Sequence, residues 1–358
     1  MNKYSFVIPT YENKHLLKNS LSVLNYLKLE PGISFEVIVV DDGSTCDTYN
    51  YIKGINKNYS FEYIYLPRCE NSSRARARNR GIERANGNII VFIDADILIK
   101  PDYLLQLNRF YKYNKDIAVV GTRKLLNEEI DPCYVEDMSI FNDEILNSYN
   151  VNNDFRHGIF SDISYNGSSM DSPFLYALTC NLALSKKWID EVNGFDEDLK
   201  KWGIEDIEMM YRMHQKGLKI LINSKNEVIH QFHGIIETGT VVSKEKRELD
   251  YNTSVFIKKH PGFMGLSEDI LYSLFGNIAT MYKYLEKEET GDSVTVNFSD
   301  ISQYEEIQKK IIELMGDGKS TIIVNDYVED SDLDVWIQLL SDKKTKIRYY
   351  PYSKVLVH

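Results

Sequence analysis

The sequence has few cysteines, no excess of basic residues and no long apolar run, and each shortage excludes a class of protein. Its four cysteines, Cys46, Cys69, Cys133 and Cys180, lie far apart and form no C-x-x-C pair, which excludes cysteine-based zinc and redox motifs. The formal net charge of −11 argues against a nucleic-acid binder, since neutralising phosphates requires clustered Lys and Arg. No apolar run approaches the roughly 20 residues of a membrane-spanning helix. Strand-like sequence from residue 4 leaves no room for a signal peptide, so we expect a cytoplasmic protein with reduced thiols.

Length and composition predict a catalytic α/β domain with a smaller appendage. The 358 residues exceed the usual size of one domain, and 43% hydrophobic with 27% charged residues is an ordinary globular mixture. We predict a catalytic domain at 1–239, a helical extension at 240–289 that ends in the charged run 286–289, and a small C-terminal α/β module at 290–358. The module holds no catalytic constellation. Acceptor docking, partner binding, homo-oligomer or peripheral membrane contact, and a structural extension of the main sheet all stay open for it.

Strand and helix signals alternate over the first hundred residues, which indicates βαβ crossovers and a mainly parallel central sheet. The predicted strands lie at 4–8, 35–40, 61–66 and 89–93, and the predicted helices at 14–27, 48–57 and 73–85. Acids or turn residues follow these strands, where the ligand crevice of an open α/β sheet lies. The polar stretch 127–171 is too long for an ordinary connection, and we expect it to form an acceptor-side wall or lid.

Two acids follow the continuously apolar run 89–93 directly. Asp94 and Asp96 therefore lie at the carboxyl end of a buried strand, where hard oxygen ligands suit Mg²⁺ or Mn²⁺ bound together with diphosphate oxygens. His230 and His233, two of only seven histidines, follow a later strand. We predict that one of them completes the metal shell, with His230 the first choice and His233 the second.

Polar residues near the other strands suggest a nucleotide site. Asp41 ends the second strand and can accept the imide N–H of a uracil ring, although an Asx-type turn is the structural alternative. The next predicted helix begins with alternating arginines. From helical spacing we predict that Arg78 faces a diphosphate, with Arg74 as second choice. We assign Arg76 and Arg80 to a solvated face or to surface ion pairs.

A later helix opens with two acids, Glu205 and Asp206. They can complement the helix dipole, or one of them can take a proton from an acceptor nucleophile. Trp202 before them offers a flat apolar platform for a sugar, and Gly203 permits close approach of the backbone.

Taken in order, these motifs resemble the family-2 inverting glycosyltransferases with a GT-A (nucleotide-diphospho-sugar transferase) fold. The resemblance covers about residues 1–235. Its segments are Val7-Ile8-Pro9-Thr10-Tyr11, Val40-Asp41-Asp42-Gly43-Ser44, Ala77-Arg78-Asn79-Arg80-Gly81, Asp94-Ala95-Asp96, Asn181-Leu182-Ala183-Leu184, Gly194-Phe195-Asp196-Glu197 and Trp202-Gly203-Ile204-Glu205-Asp206. The stretch 194–206 is also similar to chondroitin-polymerase-type and polypeptide N-acetylgalactosaminyltransferase enzymes. Their pattern usually has glycine at the position of Ile204, so we expect this side chain to narrow the sugar or acceptor pocket.

The resemblance implies a UDP-sugar donor, Mn²⁺ or Mg²⁺ as cofactor, and a single displacement at the anomeric carbon. It implies that Asp94 and especially Asp96 hold the metal, and that Asp206, beside Glu205, is the catalytic base. The residues assigned to the nucleotide are Pro9, Thr10, Tyr11, Glu12, Asp41, Arg78, Asp94 and Ala95. Those assigned to the sugar or acceptor are Trp202, Gly203 and Asn181.

The expected acceptor is a glycan hydroxyl of the capsule, teichoic-acid or exopolysaccharide type, with a peptide or protein side chain as the alternative.

Other functions fit the sequence less well. A sugar-nucleotide nucleotidyltransferase requires a glycine-rich basic loop after the first strand, whereas residues 9–13 are acidic and contain no glycine. An inactive binding scaffold is disfavoured because Asp94, Asp96, Glu205 and Asp206 are all intact.

Overall fold

The computed structural model describes residues 2–234, 243–285, 292–317, 321–329, 331–341 and 347–351. A large mixed sheet of nine strands forms the body of the protein, and a second, three-stranded sheet lies near the C-terminus. The large sheet contains β1 (Asn2–Thr10), β2 (Ile33–Asp41), β3 (Ser60–Tyr65), β4 (Ile89–Ile93), β5 (Ile97–Ile99), β6 (Ile117–Leu126), β7 (Val151–Asn153), β8 (Asn181–Ser185) and β9 (Lys219–His230). The small sheet contains β10 (Ser293–Phe298), β11 (Thr321–Asp326) and β12 (Ile347–Tyr350).

Helices cover both faces of the large sheet, and the last two contribute to the core of the small sheet. They are α1 (Lys14–Val23), α2 (Thr48–Lys53), α3 (Arg74–Arg84), α4 (Tyr103–Tyr111), α5 (Pro132–Glu136), α6 (Asp143–Leu146), α7 (Arg156–Asp162), α8 (Lys186–Glu191), α9 (Glu205–Gln215), α10 (Ser243–Lys259), α11 (Glu268–Gly276), α12 (Ile278–Leu285), α13 (Tyr304–Asp317) and α14 (Leu333–Leu340). Within the described ranges, none of them combines the length and apolarity that crossing a bilayer requires.

The first half of the large sheet is parallel, as the sequence predicts. β1 pairs in parallel with β2 and β4, and β2 with β3. Successive residues of these strands alternate between two apolar cores: Val7 faces the core formed with α3 and α9, and Ile8 the core formed with α1 and α4. The second half is mixed, because β8 runs antiparallel to β4 and β6 while β9 runs parallel to β6. The α/β fold class is confirmed.

The parallel strands bring their polar loops to one edge of the sheet. Hydrogen bonds join the loops after β1 and β2, among them those from Asp42 N–H to the Thr10 carbonyl (3.0 Å) and from Glu12 N–H to Ser44 Oγ (2.8 Å). The acids after β4 and the end of β9 reach the same edge, because β5 pairs antiparallel with β9 and sets Ile97 opposite His230. The predicted crevice is therefore formed by segments far apart in the sequence.

The first part of the polar stretch 127–171 is folded onto the body. Val135 and Leu146 lie in the same apolar core as Leu17 and Leu21 of α1, and β7 pairs with the end of β6. These contacts exclude a free lid for this part of the stretch, because opening it would expose buried apolar side chains to water.

The C-terminal sheet is docked on the large one through charged and amide contacts. Arg109 of α4 donates to Asp332 (2.8 Å) and Asp334 (2.6 Å). The side-chain amide of Gln338 in α14 donates to the Ile222 carbonyl (2.7 Å), and its oxygen accepts the Ile222 N–H (2.7 Å). Gln338 thus pairs with β9 as a neighbouring strand would, while β10, β11 and β12 form a sheet of their own, as predicted for a small C-terminal α/β module. The predicted boundary at 286–289 lies outside the described residues.

Replacing Gln338 with leucine is expected to lower the free energy of unfolding by at least about 3 kcal/mol, because each of three buried backbone groups left unpaired costs roughly 1–3 kcal/mol. The groups that lose a partner are Ile222 N–H and carbonyl and the Gly167 N–H, which also donates to Gln338 (3.2 Å). Urea unfolding measures the change. Gln303→Leu, at an exposed position, is the matched control. Equal effects of the two substitutions would show that the Gln338 contacts do not stabilise the fold.

Candidate functional site

Three candidate metal ligands meet at the crevice. Atoms of Asp96, His230 and His233 that can bind a metal all lie within 4.8 Å of one another. His230 Nε2 is 3.6 Å from Asp96 Oδ2, and the centroids of the two imidazole rings are 5.1 Å apart. The Asp96 and His230 atoms are too far apart for a hydrogen bond, but their spacing suits two ligands that share one cation.

The surroundings of Asp96 fit a divalent cation. Its Oδ1 atom is buried and has no hydrogen-bond partner in the described part of the chain. Burial, reinforced by the negative charge of Asp94, raises the pKa of Asp96 to about 6. A bound cation would satisfy the unpaired oxygen and favour the ionised carboxylate. One carboxylate with two imidazoles suits Mn²⁺ better than Mg²⁺, which prefers oxygen ligands.

Asp94 lies outside this group and is paired with Arg78. Arg78 is 2% exposed, and its Nη2 donates to Asp94 Oδ1 (3.0 Å) while its Nη1 donates to Glu205 Oε1 (2.8 Å). Burial disfavours the ionised Asp94, yet the charge of Arg78 outweighs it and holds the Asp94 pKa below its ordinary value. The predicted inward orientation of Arg78 is correct. Both ends of its guanidinium are paired, one with the partly exposed Asp94 and one with the buried Glu205, so the predicted contact with a diphosphate would require one of these pairs to open.

The other arginines of α3 have different surroundings. Arg76 is paired with Asp42 (3.4 Å), and Arg80 with Glu83 on the same helix (2.5 Å). Arg74 is exposed at the start of α3, and its charge contributes to the low pKa of Asp94. Of these four arginines, Arg74 is therefore the one whose exposed side chain could reach a bound phosphate.

Asp206 is half-buried in the first turn of α9. Its Oδ2 accepts the N–H of Thr179 (3.2 Å), and its Oδ1 accepts the N–H of Ile207 (2.9 Å). Burial, followed by the charge of Glu205, raises the pKa of Asp206 to about 6. Glu205 itself is 4% exposed and paired with Arg78, so Asp206 is the better placed of the two acids to act as a base.

The turn before α9 is strained but packs well. Gly203 has φ 93°, and Ile204 has φ 62°, a left-handed conformation that is rare for a β-branched residue. The Ile204 side chain is 4% exposed and lies in the apolar core with Ile207 and Leu249. The expectation that it narrows the sugar or acceptor pocket is therefore wrong. Trp202 is half-buried against the same core, which leaves part of its ring exposed.

On the nucleotide side, Tyr11 is the exposed aromatic residue. Its ring is 48% exposed, and the guanidinium of Arg68 lies 4.2 Å from the ring centroid. Pro9 is half-buried, whereas Thr10 and Ala95 are buried and can contribute little more than backbone to a ligand. Arg68 was not predicted from the sequence, since no spacing relates it to Tyr11.

Two side chains that were predicted to contact the nucleotide already have hydrogen-bond partners within the protein. Asp41 is fully buried, and its carboxylate accepts bonds from Ser44 N–H (2.7 Å) and the Tyr63 hydroxyl (2.6 Å). The predicted uracil contact would require Tyr63 to move aside. The Glu12 carboxylate accepts bonds from the backbone N–H (2.6 Å) and hydroxyl (2.7 Å) of Thr45, which lower its pKa to about 2. Glu12 thus joins two loops in this structure instead of facing a nucleotide.

Asn181 is wrongly assigned to the sugar or acceptor. It is 1% exposed, its Oδ1 accepts the Tyr103 hydroxyl (2.8 Å), and its Nδ2 donates to the carbonyls of Thr122 (2.9 Å) and Asn226 (2.7 Å). All its polar atoms are used inside the sheet, so it forms part of the floor below the site.

Besides Arg68, sequence reasoning missed two further polar residues that contact the site. Thr179 donates its N–H to Asp206, and Gln231 donates its N–H to the carbonyl of Asp96 (2.9 Å). The sequence holds one signal for Gln231: it lies between the two histidines assigned to the metal. Thr179 carries no such signal, although both its N–H and its hydroxyl (3.4 Å) donate to Asp206 Oδ2.

Comparison with known families agrees with this geometry. The model described as "Glycosyl transferase family 2" matches residues 5–164, and the one described as "N-terminal domain of galactosyltransferase" matches residues 163–234. The chain is similar to the family 2 glycosyltransferases over residues 5–164. Together the two matches span both the Asp94 to Asp96 motif and Asp206, and end just after His233.

Two curated relatives of this chain have names that indicate different products. Validoxylamine A glucosyltransferase of Streptomyces hygroscopicus subsp. limoneus is 28% identical over 278 residues, which cover 73% of this chain and 57% of the relative. Chondroitin synthase of Pasteurella multocida (strain Pm70) is 28% identical over 243 residues, which cover 63% of this chain and 24% of the relative. The chain therefore spans only part of the length of each.

Among solved structures, S. aureus TarS 1–349 in complex with UDP-GlcNAc has a similar fold. Its TM-score is 0.52 at 15% identity, over 79% of this chain and 72% of that one. TarS 1–349 alone gives a TM-score of 0.51 at 17% identity. The similarity supports the fold, and the predicted GT-A fold is confirmed.

Proposed function

We propose that this protein is a metal-dependent, inverting glycosyltransferase, and that it moves a sugar from a UDP-sugar to a hydroxyl group of a glycan. One observation carries the proposal: the Arg78 bridge between Asp94 and Glu205 joins the acidic metal motif to the helix that presents Asp206. A cation site and a general base therefore face the same crevice. We place the activity in residues 1–239. We place the protein in the cytoplasm, in keeping with four cysteines that form no disulfide.

The chemistry assigned to the residues is a single displacement. Asp206 accepts the proton of the acceptor hydroxyl, whose oxygen forms a bond to the anomeric carbon on the face opposite the donor nucleotide. The bond from that carbon to the nucleotide oxygen breaks, and its electron pair leaves with UDP. The N–H groups of Thr179 and Ile207 hold the Asp206 carboxylate in place. When bound, a divalent cation at Asp96, His230 and His233 would offset the charge of the leaving diphosphate.

Relatives and fold support the choice of donor and acceptor. A UDP-sugar donor is supported by the TarS structure with UDP-GlcNAc, which shares the fold. A glycan acceptor is supported by the similarity to a protein named chondroitin synthase, because that name describes the synthesis of a polysaccharide. The half-buried Trp202, which precedes α9, offers an apolar face on which a sugar ring can stack.

The rate of transfer is expected to fall as the pH decreases through about 6. The base must be ionised, and burial raises the pKa of Asp206 to about 6. Stability depends on pH in the opposite direction. Because ionising Asp206 costs more in the folded than in the unfolded state, the protein loses stability as the pH rises through the Asp206 pKa of about 6. Initial rates at saturating Mn²⁺ between pH 5 and pH 8 check this, and a flat profile would contradict the role of Asp206.

Binding of UDP is expected to require the metal. Titration calorimetry with UDP should give a clear signal with Mn²⁺ and a much weaker one in EDTA, because the ion links the diphosphate to Asp96. Asp96→Asn should weaken UDP binding in Mn²⁺ to the level seen in EDTA, while the exposed Asp162→Asn should not change it. Equal binding of UDP with and without metal would contradict the proposed metal site.

A further inference from the structure

The three candidate metal ligands belong to two separate segments of the chain. Asp96 lies in the turn between β4 and β5, whereas His230 ends β9 and His233 follows it. Three residues of β5 pair with β9, and beyond that pairing the Gln231 N–H donates to the Asp96 carbonyl (2.9 Å). Gln231 therefore links the segment that carries His230 and His233 to the turn that carries Asp96.

The side chain of Gln231 extends this connection to α1. It is 1% exposed, and its Oε1 accepts a hydrogen bond from Asn19 Nδ2 (2.7 Å). Its Nε2 donates to the Leu16 carbonyl (3.2 Å) and to Ser20 Oγ (3.3 Å). Both hydrogens and the oxygen of the amide are used, so its orientation is defined by three contacts with one helix.

Ser20 connects the same helix to the segment that carries Asp96. It is fully buried, and its hydroxyl donates to the carbonyl of Ala95 (2.9 Å), the residue directly before Asp96. One helix therefore contacts both ligand-bearing segments, through Ser20 to Ala95 and through Gln231 to the residue after His230. A change in either contact would alter the spacing of Asp96 from the two imidazoles.

We propose that Gln231, acting through Ser20, is a positioning residue that sets the distance between Asp96 and the histidine pair for a divalent cation. This inference rests on the proposed metal-dependent function. The Gln231 side chain does not reach the cation, since both polar atoms of its amide face α1. It acts as residues behind metal ligands do, by fixing their orientation, and loss of such contacts typically lowers metal affinity about 10–100-fold.

The test measures Mn²⁺ affinity by titration calorimetry in the presence of UDP, with thermal unfolding in metal-free buffer as a separate readout. Gln231→Met keeps the length and volume of the side chain but removes its hydrogen bonds, and should weaken Mn²⁺ binding about 10–100-fold. Ser20→Ala removes one link of the network and should give a smaller loss in the same direction. Gln215→Met, on the exposed end of α9, is the matched control and should bind Mn²⁺ as the native protein does.

The two variants combined should lose less affinity than the product of the separate losses, because both break one network. If Gln231→Met fails to fold, Ser20→Ala decides the question. A lowered unfolding temperature with native Mn²⁺ affinity in the folded variant would overturn the inference, because the contacts would then only stabilise the fold. Asp96→Asn separates the two claims. If Asp96→Asn binds Mn²⁺ as the native protein does, the proposed metal site is wrong. If Asp96→Asn loses affinity while Gln231→Met and Ser20→Ala do not, only the role of Gln231 is wrong.

Discussion

Replacing Asp206 with asparagine is expected to reduce sugar transfer by about 10²–10⁴-fold, the contribution of a positioned general base. Asparagine can still accept the N–H of Thr179 but cannot take a proton from the acceptor hydroxyl. Binding of UDP with Mn²⁺ should not change, because Asp206 is not among the candidate metal ligands. Initial rates of UDP release and calorimetric UDP binding measure the two effects.

The stability of this variant separates lost chemistry from lost folding. Burial raises the pKa of Asp206, so its ionised form is disfavoured in the folded state, and a neutral asparagine should leave the unfolding temperature unchanged or raise it. Asp162→Asn, at an exposed position, should retain full activity. Transfer at the native rate by Asp206→Asn would remove Asp206 from the mechanism, and a large drop in unfolding temperature would mean that its role is structural.

Replacing Arg78 with methionine is expected to lower the free energy of unfolding by about 3–5 kcal/mol, the usual cost of removing one partner from a buried ion pair. Its guanidinium holds Asp94 and Glu205 together and also lies 5.6 Å from the ring centroid of Phe195. Without it, two acids near the crevice lose their counter-charge. Lysine should not restore stability, because one ammonium group cannot bridge two acids as the two guanidinium nitrogens do.

Three variants test the Arg78 bridge by urea unfolding. Arg80→Met, on the same helix, removes an exposed ion pair with Glu83 and should change the stability by less than about 1 kcal/mol. Adding Glu205→Gln to Arg78→Met removes one of the stranded charges and should recover part of the lost stability. A loss no larger for Arg78→Met than for Arg80→Met would contradict the bridge. Activity of Arg78→Met should fall as well, since Asp94 and Glu205 flank the metal and base positions.

The strands of the parallel half of the sheet could be predicted because burial alone defines them. The run at 89–93 is apolar without interruption, and the structure has a strand at Ile89–Ile93 buried on both faces. The antiparallel course of β8 and the irregular register between Gly121 and Arg123 were not predicted, because they depend on tertiary packing and not on the local pattern.

At the site, the residue types were easier to predict than their partners. Asp96 and the two histidines share a crevice because acids and imidazoles at the ends of strands meet at one edge of the sheet. The partners of Arg78, in contrast, lie 16 and 127 residues away in the chain, and no spacing rule relates them. Asn181 was wrongly assigned for the same reason, since its hydrogen bonds inside the sheet arise from the tertiary fold.

The central claim, that Asp206 and the metal group act together on a UDP-sugar, is tested most directly by UDP release. Native protein and Asp206→Asn are incubated with UDP-glucose, UDP-galactose and their N-acetyl forms, in Mn²⁺ or EDTA, with pooled glycan oligosaccharides as acceptors. We predict that the native protein releases UDP from at least one donor in Mn²⁺, that EDTA abolishes this, and that Asp206→Asn releases UDP far more slowly. Release that continues in EDTA, equal release by both proteins, or no release from any donor would contradict the account.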